Sequence, residues 1–390
     1  MATEGSTSPL ELDLRAALVI GLAAALTHAA CGGVGLSGSA LAYGSLIAAL
    51  VVRPDFNRWP TLIYPVLLVL TGLCMAIGVS LGLALSNVPQ VFVFGLVAAL
   101  MQLITLALPS KLRMLSGAVA CAGVLPLLGT PSWESWRDDV LAIAMGLVIG
   151  TLVQLVFTPD PLRSPEASQE SAAATQDTPP PEPPLGQRIA AGLRSPFFWR
   201  KLVFASLALA IGEGLGAITP KYLYFGVVLL LNDSIGDTLA RVRDRMAGVS
   251  LGVLMPLLVF NTLGISEVSI GLVMGGTTML VAALNRRSYL RTALISSGVA
   301  FIGYGPLVAW YIPNRWIDYL MGSALALLVG LLFFPQSALR RFNTLNAAAL
   351  KATAQQPEQL RALQALLPAA QEEARWLGLP QPQLPERSQG

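Results

Sequence analysis

Residues 61–85 read TLIYPVLLVLTGLCMAIGVSLGLAL, a run without one charged side chain. An α-helix rises 1.5 Å per residue and the hydrocarbon core of a bilayer is about 30 Å thick, so about 20 apolar residues make one crossing. This run therefore reads as a transmembrane helix, and the pattern recurs along the chain. Apolar runs lie near 15–31, 35–52, 61–85, 89–108, 112–130 and 138–158, then near 200–217, 220–232, 247–263, 267–284, 291–309 and 317–334. Val34–Val52 is interrupted by Gly and Ser, and Tyr222–Leu231 is short, which leaves open whether the second and eighth runs cross fully. The expected fold class is all-α, a polytopic transmembrane helix bundle.

Composition agrees. Of 390 residues, 54% are hydrophobic and 12% charged, where soluble chains carry about 25% charge. Mean hydropathy is +0.64. A formal charge of +3 is too small for a nucleic-acid binder, and no nucleic-acid partner is expected. One histidine and three scattered cysteines (Cys31, Cys74, Cys121) argue against a metal site, and no cofactor is expected. The cysteines fall in apolar stretches and read as small packing residues.

Lys and Arg collect on the cytoplasmic side of membranes. With twelve spans and the N-terminus inside, Arg137, Lys221 and Arg315 alone of the 25 cations fall outside. The expectation is a multi-pass protein of the bacterial inner membrane with both termini cytoplasmic. Arg15, an apolar run and Ala29-Ala30-Cys31 also resemble a lipoprotein leader. Glu4, Glu11 and Asp13 make that leader acidic and His28 interrupts it, so the segment reads as a retained first helix.

Residues 160–197 form a Pro-rich cytoplasmic linker, with Pro161, Pro165, Pro179-Pro180-Pro181, Pro183 and Pro184, expected to be extended and solvated. It separates a first transmembrane repeat, 1–159, from a second, 198–335. One shift aligns Lys111 with Arg291 and Gly123-Val-Leu-Pro126-Leu127 with Gly303-Tyr-Gly-Pro306-Leu307. Another aligns Gly146 and Phe157-Thr-Pro159 with Gly322 and Phe333-Phe-Pro335. Each half holds about six spans, so the two copies are expected to run parallel, about an axis normal to the membrane, with a pathway between them. Residues 336–390 form a cytoplasmic tail, expected to hold an amphipathic helix and to end in disorder from Pro380 onward.

Thr238-x-x-Arg241-x-x-x-Arg245-x-x-Gly248-x-x-x-Gly252 resembles the signature after the second helix of the fusaric acid resistance (FUSC) type of membrane protein. Arg315-x-x-Asp318-x-x-x-Gly322, closed by Pro335, is similar to that family's final helix. The family includes bacterial aromatic acid exporters and is related to plant malate transporters. The resemblance covers about 14–159 and 198–335 and is strongest in the second half. The first half departs from it, with Arg53-Pro-Asp-Phe-Asn-Arg58 in place of a longer basic helix.

Ionisable groups inside spans cost about 2.5–3.5 kcal/mol on insertion scales and mark candidate sites. His28 follows Arg15 at the spacing at which Glu213 follows Arg200, with glycines around both. The two are candidates for a proton-carrying pair; the alternative is that each reaches the interface or bonds a local carbonyl. Arg241 and Arg245 share a helix face and suit a carboxylate, or serve as topology determinants paired with nearby acids. Gly248 and Gly252 read as a helix-packing seam. Pro126 and Pro306, like Pro65 and Pro256, free carbonyls that neighbours or water must satisfy. Trp133, Trp136, Tyr222, Tyr224, Trp310, Tyr311 and Trp316 read as interfacial anchors.

No phosphate-binding glycine loop or nucleophile–base pair is visible, so no enzyme is expected. The resemblance implies a secondary exporter of small organic, plausibly aromatic, carboxylates, coupled to the proton gradient. A passive anion channel and a non-transporting scaffold or envelope-stress protein are the alternatives. The partners expected are the organic anion and the lipid bilayer, with a homo-oligomer or a further membrane protein left open.

Overall fold

The computed structural model describes residues 9–36, 38–54, 63–109, 112, 115–157, 184–215, 235–299, 316–317, 320–325, 327–328, 337–351 and 357–384. The eighth apolar run, Pro306, Arg315 and Asp318 lie outside these residues. Among the described residues all regular structure is helical. The chain runs α1 (Pro9–Gly33), α2 (Ser39–Val51), α3 (Ile63–Ala84), α4 (Gln90–Ala107), α5 (Ser116–Ala122) and a 3-10 turn (Leu125–Leu128). There follow α6 (Trp133–Phe157), α7 (Leu185–Arg194), α8 (Pro196–Gly214), α9 (Ile235–Leu263), α10 (Glu267–Ala283) and a second 3-10 turn (Arg287–Tyr289). The last three are α11 (Leu290–Val299), α12 (Ala338–Lys351) and α13 (Pro357–Leu377).

Among the described residues, five helices are long and apolar enough to cross a membrane: Leu10–Gly33, Ile63–Ala84, Gln90–Ala107, Trp133–Phe157 and Thr238–Leu263. Leu14, Leu18, Leu22 and Leu26 form an exposed stripe along α1, and Val148, Leu152, Leu155 and Val156 leave α6 similarly uncovered. Water does not tolerate such continuous apolar faces, whereas acyl chains do.

Two of the expected spans are altered. Residues 112–130 do not form one helix, because α5 stops at Ala122 and a 3-10 turn takes over at Leu125. Pro126 lacks an N–H and its ring crowds the carbonyl four residues back, at Ala122. The second run yields a helix of 13 residues, about 20 Å long, which is shorter than the hydrocarbon core.

Contacts divide the chain into two compact units, 1–86, 100–194 and 248–312 in one, and 87–99, 195–247 and 313–390 in the other. Neither unit coincides with a sequence half.

In the first unit α1 packs against α10, α2 and α6, and α2 against α6 and α11. Small residues every fourth position set these seams. Ala17, Gly21 and Ala25 of α1 meet Gly271 and Gly275 of α10, and a Cβ on Gly21 would lie 2.6 Å from the Gly271 carbonyl oxygen. With no hydrophobic force between helices in lipid, such backbone approach supplies the van der Waals contact that holds them. The same logic joins Gly44 and Ala48 of α2 to Ala142, Gly146 and Gly150 of α6. The α1–α10 pair is antiparallel and tied at one end by Arg287 to Asp13 at 2.8 Å, while at the other His28 Nδ1 lies 3.8 Å from Glu267.

Helix α1 closes on a Schellman turn. Leu36 N–H reaches the Cys31 carbonyl and Gly35 N–H the Gly32 carbonyl, with Gly35 at φ 83°, a left-handed conformation that favours glycine. Leu36 then packs on Cys31, Ala40 and Ala142.

The linker is not extended throughout. Its proline density ends at Pro184, and residues 185–194 fold as α7, where Gly192 is buried beside Leu106 and Arg188 donates to the Leu108 carbonyl at 3.0 Å.

In the second unit α12 and α13 pair as a hairpin around Phe342, Ala349, Leu363 and Ala370. Buried Glu373 accepts the backbone N–H groups of Ala338 and Leu339, at 2.8 and 3.3 Å, and so caps α12. The tail is thus two docked helices rather than one. It stays packed beyond Pro380, because Gln371 donates to the Pro382 carbonyl at 3.2 Å and Leu384 lies on the hairpin core. Residues 385–390 lie outside the described residues.

Candidate functional site

Three sets of polar groups stand out among the described residues of the first unit. The first sits at the end of α1 and the start of α10. Ser266 caps α10, accepting the Ser269 N–H at 3.2 Å, which places Glu267 in the first turn. The His28 Nδ1 lies 3.8 Å from Glu267 Oε1, an ion pair whenever the imidazole is protonated. The histidine side chain is 13% exposed and the glutamate 55%.

A second set lies where α9, α10 and α11 meet. Pro256, inside α9, has no N–H for the carbonyl four residues back, which belongs to Gly252. Ser297 of α11 donates to that carbonyl at 2.7 Å. Because its single proton is spent there, Thr277 of α10 is the donor in the 2.9 Å contact between the two hydroxyls. The glycines make this possible: a Cβ on Gly248 would meet Thr292 Cβ at 2.7 Å, and one on Gly252 would meet Ser296 Cβ at 2.8 Å.

The third set is Asp139 of α6, 4% exposed, whose Oδ1 accepts the Ser39 hydroxyl at 3.0 Å. The neighbouring Arg137 turns to Asp138, with Nε and Nη2 at 3.1 and 3.0 Å from its Oδ1. Trp136, one turn earlier, donates its indole N–H to the Gly72 carbonyl at 2.9 Å and meets Trp133 edge to face.

In the second unit Glu213 ends α8 with its side chain exposed. Arg241 and Arg245 lie four apart on α9; the Arg241 side chain is outside the described residues. Arg245 Nε is buried with no hydrogen-bond partner among them. Their neighbour Arg243 reaches Glu372 of α13 at 2.6 Å and Asp244 at 3.1 Å.

Sequence reading named His28 but missed Glu267, Asp139 and Ser297. Glu267 and Asp139 were legible as acids flanking or entering apolar runs, and Ser266 as a cap. The Ser297–Gly252 bond carried no sequence signal, since it depends on which helix lies beside Pro256. Among the described residues no group of three or more His, Cys, Asp or Glu is placed to hold a metal ion.

Apolar helices with uncovered leucine faces, small-residue seams and buried polar groups define a multi-pass helical membrane protein. Residues 207–329 match the family model described as fusaric acid resistance protein-like, which bears out the resemblance read from the sequence in its second half. No curated protein and no solved structure matches the chain. The matched segment holds α9, α10 and α11, and with them Glu267 and the Thr277–Ser297–Gly252 chain.

Proposed function

We propose that this protein is a secondary exporter that moves small organic carboxylates, aromatic ones among them, out across a bacterial inner membrane on the proton gradient. The reading keeps both termini cytoplasmic, two parallel repeats, and assembly with a second copy or another membrane protein as an open possibility. The observation that carries it is the placing of ionisable and hydroxyl groups (His28, Glu267, Thr277, Ser297) within helices of the family-matched and adjoining segments that are otherwise apolar. Buried polar groups in lipid are costly, and a transport route repays that cost. His28 and Glu213 are the proton-carrying candidates of the two halves, and Arg241 and Arg245 the candidates for gathering a carboxylate, since a guanidinium engages carboxylate bidentately.

The test is a knockout strain challenged with benzoate, phthalate and succinate, complemented by wild type or by Glu213→Gln. Selective hypersensitivity to the aromatic acids, rescued by wild type and not by a normally inserted Glu213→Gln, is the expected result. Sustained current without a proton gradient would replace the exporter with a passive channel. Unaltered sensitivity to all three acids would leave a scaffold role.

A further inference from the structure

Asp139 belongs to none of the roles above, and among the described residues of the first unit it is the buried acid, 4% exposed. Asp13 pairs with Arg287, Asp138 with Arg137, and Glu267 lies by His28. Asp139 is buried, two turns into a helix that carries no charge from Val140 onward, and its partner is a neutral hydroxyl. An ionised carboxylate in that position loses its water and gains no cation among the described residues, so a carboxyl there holds a proton unless the surroundings supply something in exchange.

The surroundings supply part of it. Ser39 is the first residue of α2, whose N-cap Gly38 makes no side-chain bond to the exposed N–H groups. The Asp139 oxygen therefore meets both a hydroxyl donor and the positive end of a helix, each of which supports the anion. The turn that delivers Ser39 is itself specified by Gly35 and Gly38, both at positive φ. Burial favours the neutral acid, and the Ser39 contact favours the carboxylate.

We infer that Asp139, with Ser39, is a reversible proton-binding site inside the helix pack. The step is a bare protonation: the carboxylate takes up one proton to become the acid and releases it unchanged, with no bond broken elsewhere. In the acid form the carboxyl is itself a donor, so the Ser39 hydroxyl turns from donor to acceptor. Four helical elements supply the titratable side chains on adjoining stretches. They are His28 and Cys31 on α1, Tyr43 on α2, Cys74 on α3, and Glu134, Arg137 and Asp138 on α6 itself. His28 is turned to Glu267 and Arg137 to Asp138, so neither neutralises Asp139. Use of this proton to drive export rests on the function proposed above; the binding itself does not.

The experiment separates the two. Full-length protein in lipid nanodiscs is titrated with pH while the infrared carbonyl stretch of protonated carboxyls is followed. Wild type is expected to show a protonated-carboxyl band that fades as pH rises, and Asp139→Asn to lack it. Ser39→Ala, a milder variant, keeps the band and displaces its midpoint to higher pH, because the hydroxyl no longer supports the anion. An identical band and midpoint in all three overturns the proposal. Alongside, inverted vesicles with an acid interior are given labelled phthalate. One proton per substrate supports about a tenfold accumulation per pH unit; Asp139→Asn is expected to fall to about onefold while retaining exchange. Loss of the band with accumulation unchanged keeps the proton site and removes it from coupling. No accumulation in wild type sinks the export reading for this probe and leaves the titration to decide Asp139.

Discussion

Ser297 and Pro256 show how one residue's deficiency is another's function. The proline removes a donor from α9, and the serine returns one from α11, so the two are coupled through the Gly252 carbonyl. Replacing Ser297 with Ala leaves a buried carbonyl unpaired and should cost about 1–2 kcal/mol, within the range for interhelical bonds in membranes. In a Pro256→Ala background the helix supplies its own N–H, and the same Ser297→Ala change should cost less than half as much. Unfolding in detergent, read as a double-mutant cycle, measures the difference; equal penalties in both backgrounds would contradict the pairing. The glycine seams make a second prediction at this scale. A Cβ on Gly150 would lie 2.8 Å from the Ala48 carbonyl oxygen. Overpacking of this kind costs about 1–3 kcal/mol, so Gly150→Val should lower the midpoint of thermal unfolding in detergent, whereas Gly186→Ala, with open space around it, should not.

At the scale of elements, the tail hairpin is held by its apolar core and its cap more than by charge. Arg243 is 45% exposed, and the buried Glu372 keeps Arg375 at 3.2 Å when Arg243 is lost, so Arg243→Gln should cost about 1 kcal/mol or less. Phe342 is fully buried, and truncating such a side chain to Ala costs about 3–5 kcal/mol. Limited proteolysis of membranes should therefore leave α12 and α13 protected in Arg243→Gln and release them in Phe342→Ala. Glu373→Ala, which strips the cap from Ala338 and Leu339, should fall between, and a reversed order would mean that the ion pair dominates. The approach of Gly236 to the Ala369 backbone belongs to the same docking and admits no larger side chain at Gly236. In the first unit, α1 and α10 are fixed by the small-residue seam, with the Asp13–Arg287 and His28–Glu267 contacts setting its register. Such a helix pair resists sliding, since a shift of one turn would break the Asp13–Arg287 pair and lift glycine off glycine.

For the whole molecule, the insertion scheme is the quantity most open to test. Single cysteines placed in the Pro-rich linker at 160–183 should react with a membrane-impermeant reagent in inverted vesicles and not in intact cells; labelling from outside would invert the topology. What was legible in the sequence and what was not divides along a physical line. Apolar run length and the sparse charge are local or summed properties, so they determined the membrane class, the helical fold of the described residues and most helix positions before any contact was known. The family resemblance was likewise carried by short motifs in α9. Pairing was not legible. That α1 lies on α10 and α2 on α6, that Ser297 answers Pro256, that Glu372 finds Arg243 and that Asp139 is buried beside Ser39 are all relations between distant residues. In a chain of nearly uniform apolar helices many pairings bury the same surface, and only the three-dimensional fit of small residues, with the few polar groups each needing a partner, selects one of them.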